Sequence, residues 1–218
     1  MSKPRLLDLF SGAGGAGMGY YRAGFDIVGV DIAPMPRYPF EFHQADAFEY
    51  CADHGHEFDA IHASPPCQRY TIGRKIHDSG ERHPDLVGPT RNALNTTGKP
   101  WVIENVPGAP LRNPITLCGV MFGLHVFRHR LFESSVMLLA PAHEKHNGTT
   151  GATDGYSTLA RGRNGYICVA GHNFIREEGA AAMGIDWMHT RYELAQAIPP
   201  VYTSYIGKQL LEYLGVTA

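Results

Sequence analysis

A cysteine stands directly after two prolines at the end of an apolar run, in the segment DAIHASPPCQ that contains Cys67. The prolines fix the backbone and remove two N–H donors, so the turn that carries Cys67 is predicted to be rigid. If the apolar run is a strand, Cys67 lies at its carboxyl end, where open α/β sheets bind ligands. This position favours a nucleophile, and a small apolar residue that caps the strand is the alternative.

A glutamate ends a second apolar run, WVIENV, which contains Glu104. Parallel strands end at the same edge of a sheet, so Glu104 is predicted to emerge beside Cys67. Glu104 is either a surface group at a strand end or a partly buried acid with a raised pKa. The pairing with Cys67 favours the buried acid.

A glycine-rich loop follows the first predicted strand in LLDLFSGAGGAGMG. Its glycines are Gly12, Gly14, Gly15, Gly17 and Gly19. They allow a sharp turn and let a ligand approach backbone N–H groups at the start of a helix. Asp31, roughly 20 residues further on, can bind the two ribose hydroxyls of a nucleoside, and Asp46 is placed to reach an adenine amino group. The loop and the two aspartates indicate an adenosine-containing cofactor. Phe10, whose ring could lie against adenine, favours S-adenosylmethionine over a dinucleotide.

Short apolar runs alternate with turns and amphipathic stretches as far as about residue 135, which is typical of a parallel α/β sheet. Strands are predicted at 5–10, 26–32, 58–64, 100–106, 130–138 and 166–171. Helices are predicted after the glycine loop, ending at Gly24, and at 177–184, 190–198 and 203–214. Residues 141–165 have no useful periodicity. The fold class is therefore α/β, a Rossmann-like sheet with helices on both faces and a small irregular insert.

The composition narrows the functional classes. The 218 residues are 44% hydrophobic, which is enough for one core, and the net charge of −2 excludes a globally basic nucleic-acid binder. The four cysteines show no spacing of the zinc type, so no metal site is expected. No secretory leader or membrane span is recognisable, which predicts a cytoplasmic protein with reduced thiols and no membrane partner.

The motifs DLFSGAGG, SPPCQ, ENV and RHRLFE, in this order, resemble those of the DNA cytosine-5 methyltransferases over residues 5–135. The resemblance implies the S-adenosylmethionine-dependent methyltransferase version of the fold, and DNA with a flipped-out cytosine as the substrate. It also implies four catalytic residues: Cys67 adds to carbon 6 of cytosine, Glu104 protonates ring N3, and Arg128 and Arg130 hold O2 and a nearby phosphate.

The cofactor-binding residues follow from the loop, its acidic partners and the resemblance. They are Phe10, Ser11, Gly12, Gly14, Asp31, Ile32, Asp46, Ala47, Pro66 and Gly207. Two positions depart from the family pattern: Val126 stands where a glutamine often precedes the paired arginines, and IGKQ, which contains Lys208, replaces the usual Gly-Asn-Ser.

Three segments are predicted: a catalytic and cofactor-binding core at 1–135, a short target-recognition insert at 136–188, and C-terminal helices at 189–218. The short insert suggests a phage or compact bacterial restriction-modification system, loose specificity, or help from a specificity partner or cognate restriction enzyme. A monomer is expected. Candidate nucleic-acid contacts are Arg161, Arg163, Asn164, His172 and Asn173 in the insert, and Arg69, Arg74, Lys75, Arg82 and Arg91 after Cys67.

Other functions stay open from the residues alone. The same chemistry could act on RNA, and a degenerate module could bind DNA or S-adenosylmethionine without turnover. A nicotinamide oxidoreductase would explain the glycine loop but not SPPCQ and ENV. An amino-methylating enzyme is disfavoured because an aromatic residue typically follows the two prolines where this chain has Cys67.

Overall fold

The computed structural model describes residues 2–70, 83–146, 165–171 and 174–216. Its centre is a seven-stranded sheet, with strands β1 Arg5–Leu9, β2 Asp26–Asp31, β3 Glu41–Gln44, β4 Ala60–Ala63, β5 Trp101–Asn105, β6 Ile115–Leu117 and β7 Arg130–Ser134. The strand order is β3-β2-β1-β4-β5-β7-β6. β1 to β5 are parallel to one another, and β7 runs antiparallel to both β5 and β6.

The described helices are α1 Gly15–Ala23, α2 Ala47–His54, α3 Val87–Thr96, α4 Arg176–Met183, α5 Arg191–Gln196 and α6 Pro200–Tyr213. Short 3₁₀ turns occupy Gly55–Glu57 and Gly119–Phe122. Among the residues that the structure describes, no helix is long and apolar enough to cross a membrane.

Successive strand residues point to opposite faces of the sheet, which gives two apolar layers. Leu6 in β1 and Val102 in β5 pack in one layer, with α1 and α6. Their neighbours Leu7 and Ile103 pack in the other layer, with α2 and α3. The predicted fold class is confirmed, because the sheet is Rossmann-like with helices on both faces.

Most of the predicted elements are confirmed. The strands predicted at 5–10, 26–32, 58–64, 100–106 and 130–138 form β1, β2, β4, β5 and β7, and the predicted helices form α1, α4, α5 and α6. The strand predicted at 166–171 is wrong, since only an isolated bridge at Ile167 is present there. This segment instead contributes Ile167 and Val169 to a third apolar cluster with Met183 of α4 and Leu194 of α5.

Candidate active site

The turn that carries Cys67 is held to neighbouring strands by backbone and side-chain hydrogen bonds. Ser64 N donates to Leu9 O of β1 at 3.1 Å, and the buried Asn105 side chain donates from Nδ2 to Pro65 O at 2.9 Å. Tyr70 N closes the turn by donating to Cys67 O at 2.9 Å. Asn105 was not among the predicted site residues. The sequence feature that could have indicated Asn105 is its position in ENV, beside Glu104 at the end of a buried strand.

Glu104 lies at the end of β5 and is 6% exposed. Arg130 Nε lies 2.9 Å from its Oε1. The contact is an ion pair without hydrogen-bond geometry, because Oε1 accepts no hydrogen bond from the described residues. Burial raises the pKa of Glu104, while Arg130, Arg128 and a hydrogen bond from Ser64 act in the opposite direction. Burial therefore favours the protonated acid.

Cys67 shares this electrostatic environment. Burial raises the pKa of its thiol, Glu104 raises it further, and Arg130 and Arg128 lower it. The four predicted catalytic residues are therefore close enough to influence one another's charge. Cys51 differs, since it lies on the buried face of α2 in an apolar layer, where burial alone raises its pKa to about 11.

The two arginines of the RHR motif have different roles in the structure. Arg128 donates from Nε to Ala197 O at 2.8 Å, from Nη1 to Val169 O at 2.6 Å and from Nη2 to Ala195 O at 2.7 Å. Its guanidinium thereby ties the end of α5 to the 165–171 segment. Arg130 instead faces Glu104, and among the described residues its Nη1 donates to the adjacent carbonyl of His129. The guanidinium of Arg130 therefore lies beside Glu104, whereas that of Arg128 is bound by three backbone carbonyls.

A chain of buried polar groups leads from α1 to Glu104. Tyr20 Oη lies 3.0 Å from His62 Nδ1, and His62 Nε2 lies 2.8 Å from Ser64 Oγ. Burial lowers the pKa of His62 to about 3, so the ring is neutral. If the tyrosine donates to Nδ1, then Nε2–H donates to Ser64, and the serine hydroxyl is left to donate to Glu104. His62 was not among the predicted site residues, because no local pattern distinguishes one histidine within an apolar strand.

The predicted cofactor residues Gly12, Asp31 and Asp46 lie around the glycine loop. Asp31 accepts hydrogen bonds from Gly12 N at 2.9 Å and from Ala33 N at 3.0 Å, so it also fixes the loop. Asp46 caps α2 by accepting from Phe48 N at 2.8 Å through Oδ1. Both carboxylates keep acceptor capacity for a ligand.

Three residues that directly follow β1 or β2, near the glycine loop, have features that a bound nucleoside would explain. Phe10 adopts a left-handed backbone conformation, with φ of 54°, and its ring meets Phe48 edge to face. Ser11 is 7% exposed, and its Oγ has no hydrogen-bond partner among the described residues. Ile32 is 73% exposed directly after Asp31, where an apolar ring would cover it. These features fit an adenosine-containing ligand.

The remaining predicted cofactor residues divide into two groups. Gly14 precedes α1 with φ of 84°, Ala47 begins α2, and Pro66 is exposed beside Cys67. Gly207 lies in α6, where an added Cβ would meet the Cβ of Ala23 at 2.7 Å. Ala23 ends α1, so Gly207 lies at the opposite end of that helix from the glycine loop. Gly207 therefore serves the packing of α6 against α1 and does not lie at the glycine loop, where the cofactor is predicted to bind.

The predicted basic cluster after Cys67 is not a single surface. Arg91 is 7% exposed and forms a buried ion pair with Glu133, so its assignment as a phosphate contact is wrong. Arg69 donates to His83 O. The remaining candidates lie outside the described residues: Arg74, Lys75, Arg82, Arg161, Arg163, Asn164, His172 and Asn173.

The chain is similar to a curated bacterial methyltransferase over part of its length. Type II methyltransferase M.XorII of Xanthomonas oryzae pv. oryzae is 31% identical over 125 residues, which are 50% of this chain and 29% of that protein. The chain thus matches less than a third of that relative's length. No model of a protein family matches the chain.

Solved structures share the fold over nearly the whole chain. A prophage-encoded E. coli protein described as a DNA modification methyltransferase has a TM-score of 0.70 at 18% identity, covering 97% of this chain and 99% of that chain. The S. pombe Dnmt2 methyltransferase has a TM-score of 0.62 at 15% identity, covering 98% and 99%. The Entamoeba histolytica methyltransferase EhMeth has 0.63 at 13%, with the same coverage. The chain therefore has a methyltransferase fold, as the sequence resemblance implies.

Proposed function

We propose that the protein is a DNA cytosine-5 methyltransferase that uses S-adenosylmethionine and forms a covalent bond between Cys67 and carbon 6 of the target cytosine. The observation that carries the proposal is the meeting of Cys67, Glu104 and Arg130 at the carboxyl edge of the sheet. The Type II methyltransferase relative and the methyltransferase fold support it.

Cys67 supplies the nucleophile. Carbon 5 of cytosine is a poor nucleophile, and addition of a thiolate at carbon 6 converts the ring into an enamine whose carbon 5 can attack a methyl group. Loss of the carbon 5 proton and elimination of the thiolate then restore the aromatic ring. The rigid turn formed by the two prolines and Asn105 holds the sulfur at a fixed distance from the base.

Glu104 and Arg130 assist the addition. A buried carboxyl with a raised pKa can donate a proton to ring N3, which makes carbon 6 more electrophilic. Arg130 holds the carboxyl through its ion pair, and its guanidinium is suited to a planar oxygen acceptor such as cytosine O2.

The cofactor edge would hold S-adenosylmethionine, which supplies the methyl group when bound. Asp31 would accept hydrogen bonds from the ribose hydroxyls, and Asp46 from the adenine amino group. Phe10 and Ile32 would enclose the adenine ring, while Ser11 and the glycine loop would face the amino-acid end. We propose a monomer that acts on DNA, with a specificity partner or cognate restriction enzyme as a further possibility for testing.

Methyl transfer tests this function. Purified protein, DNA and S-adenosylmethionine labelled in the methyl group are expected to give 5-methylcytosine, and Cys67→Ala is expected to abolish the product. Cys168→Ala is the matched control, since this thiol lies outside the proposed machinery. Methylation that persists in Cys67→Ala would contradict the covalent mechanism. Transfer to tRNA but not to DNA in a parallel assay would assign the same chemistry to RNA.

A further inference from the structure

Four potential metal ligands converge beside the arginine motif. They are Cys118, His129, His143 and His146, and their ligand atoms all lie within 4.8 Å of one another. Three separate segments supply them: the loop after β6, the RHR motif before β7, and the chain that follows β7. The cluster lies outside the residues to which we assign the methyl-transfer chemistry, although His129 stands between Arg128 and Arg130.

Two distances within the cluster lie near those of a tetrahedral site, and the others are within 4.8 Å. His143 Nε2 lies 3.1 Å from His146 Nε2, and Cys118 Sγ lies 3.4 Å from the same His146 nitrogen. Zinc bonds of about 2.0–2.1 Å to nitrogen and 2.3 Å to sulfur place neighbouring ligand atoms roughly 3.3–3.6 Å apart in a tetrahedron. The observed separations are close to this range.

Cys118 Sγ donates to Phe127 O at 3.0 Å, but hydrogen bonds satisfy His146 poorly. His146 Nε2 faces both an imidazole nitrogen and a thiol sulfur, and one ring nitrogen cannot point a single N–H or lone pair at both groups. A cation at the centre attracts a lone pair from each ligand at once. Three imidazoles and one thiolate are a donor set that zinc prefers.

We propose that Cys118, His129, His143 and His146 bind one Zn²⁺ ion in a structural site. The surrounding groups suit this role. The Phe127 ring stacks on the His146 ring, with centroids 4.0 Å apart and planes inclined by 14°, and so fixes its orientation. The backbone N–H groups of Gly119 and Val120 lie against the Cys118 sulfur and would support the thiolate that zinc requires.

The proposed ion would cross-link parts of the chain that bound the active site. His129 is next to Arg130, which pairs with Glu104, and His143 and His146 lie in the first described part of the predicted target-recognition insert. Zinc would thus brace the arginine motif against the start of the insert. The sequence predicts no metal site, because the four ligands are spread from Cys118 to His146 and only the last two histidines are close together in the chain.

Metal analysis of the full-length protein tests this site independently of methyl transfer. The purified protein is expected to contain about one zinc per chain, and cobalt(II) exchanged into it is expected to show tetrahedral d–d bands with a sulfur-to-cobalt charge-transfer band. Cys118→Ser is expected to lose the charge-transfer band. Absence of bound zinc, together with absence of a tetrahedral cobalt spectrum, would overturn the proposal.

A second variant separates metal loss from misfolding. His143 is exposed, so His143→Ala removes little packing and is expected to leave the circular dichroism spectrum unchanged while it weakens zinc binding at least about tenfold. His54→Ala is the matched control, because this exposed histidine pairs with Glu57 away from the cluster. Equal zinc affinity in His143→Ala and the unmodified protein would contradict the proposed ligand set.

Discussion

Two buried glutamates on adjacent strands form ion pairs of opposite character. Glu133 in β7 is bound at 2.5 Å by Arg91 Nε, at 2.7 Å by Arg91 Nη2 and at 2.7 Å by Arg112 N. Glu104 in β5 has Arg130 at 2.9 Å, but its Oε1 accepts no hydrogen bond from the described residues. Glu133 pairs in register with Ile103, so the two carboxylates point to opposite faces of the sheet.

Under the proposed function, this difference separates a structural pair from a reactive one. A buried carboxylate with bidentate arginine and backbone donors has its hydrogen-bonding capacity filled from within the protein. A buried carboxyl with an unfilled oxygen stays available for a proton or a substrate atom. Two glutamates that are similarly buried and are each paired with an arginine can therefore have different roles. The geometry of their hydrogen bonds distinguishes these roles.

Glu104→Gln is expected to have the largest effect on activity. It removes the proposed proton donor, so kcat for methyl transfer should fall by about 10²–10⁴-fold. The midpoint of thermal unfolding should fall less than in Glu133→Gln, because Glu104 Oε1 accepts no hydrogen bond from Arg130 and the Arg130 side chain is 14% exposed, so that water can solvate its charge. Both quantities are measured on the same preparation. A variant with unchanged kcat would remove Glu104 from the mechanism.

Glu133→Gln is the matched change at the satisfied pair, and its effect should appear in stability. It leaves the buried charge of Arg91 uncompensated, which costs about 3–5 kcal/mol of unfolding free energy. Urea denaturation measures this loss, and kcat per folded molecule should stay near that of the unmodified protein. A stable variant with strongly reduced kcat would reverse the roles that we assign to the two glutamates.

A third buried carboxyl, Asp8, has no arginine partner within the part of the chain that the structure describes, and its behaviour with pH extends the comparison. Burial raises its pKa to about 8, and a hydrogen bond from Tyr38 partly opposes this. The unfolded chain then loses this proton at lower pH than the folded protein, so the contribution of Asp8 to stability should fall from about pH 4 to about pH 8. Asp8→Asn should reduce that fall in thermal melts across this range. An identical pH dependence in the variant would contradict the shifted pKa.

Ser64→Ala is expected to have the smallest effect. The hydrogen bond from Ser64 lowers the pKa of Glu104, so its removal should raise that pKa and keep the acid protonated to higher pH. The alkaline limb of the profile of kcat/KM against pH should therefore move upward. A shift towards lower pH would show that Ser64 does not donate to Glu104.

The site residues that follow the parallel strands are predicted from the sequence better than those on or near the antiparallel strand β7. The glycine loop, Asp31 and Cys67 follow strands whose apolar runs are continuous, so their positions at one edge follow from local pattern. Arg128, Arg91 and the metal-ligand cluster depend on contacts between distant segments, such as Arg128 with Ala195 and Ala197. Hydrophobic periodicity does not predict such long-range contacts. The sequence around an arginine also does not show whether the side chain binds a phosphate or a buried carbonyl.

Covalent trapping tests the central claim most directly. DNA that contains 5-fluorocytosine cannot lose a proton from carbon 5 after methylation, so a thiol bonded to carbon 6 cannot be eliminated. With S-adenosylmethionine present, the protein is expected to form a denaturation-resistant complex with this DNA, and peptide mass spectrometry should place the bond on Cys67. A complex linked through another residue, or its absence under conditions in which ordinary DNA is methylated, would contradict the account.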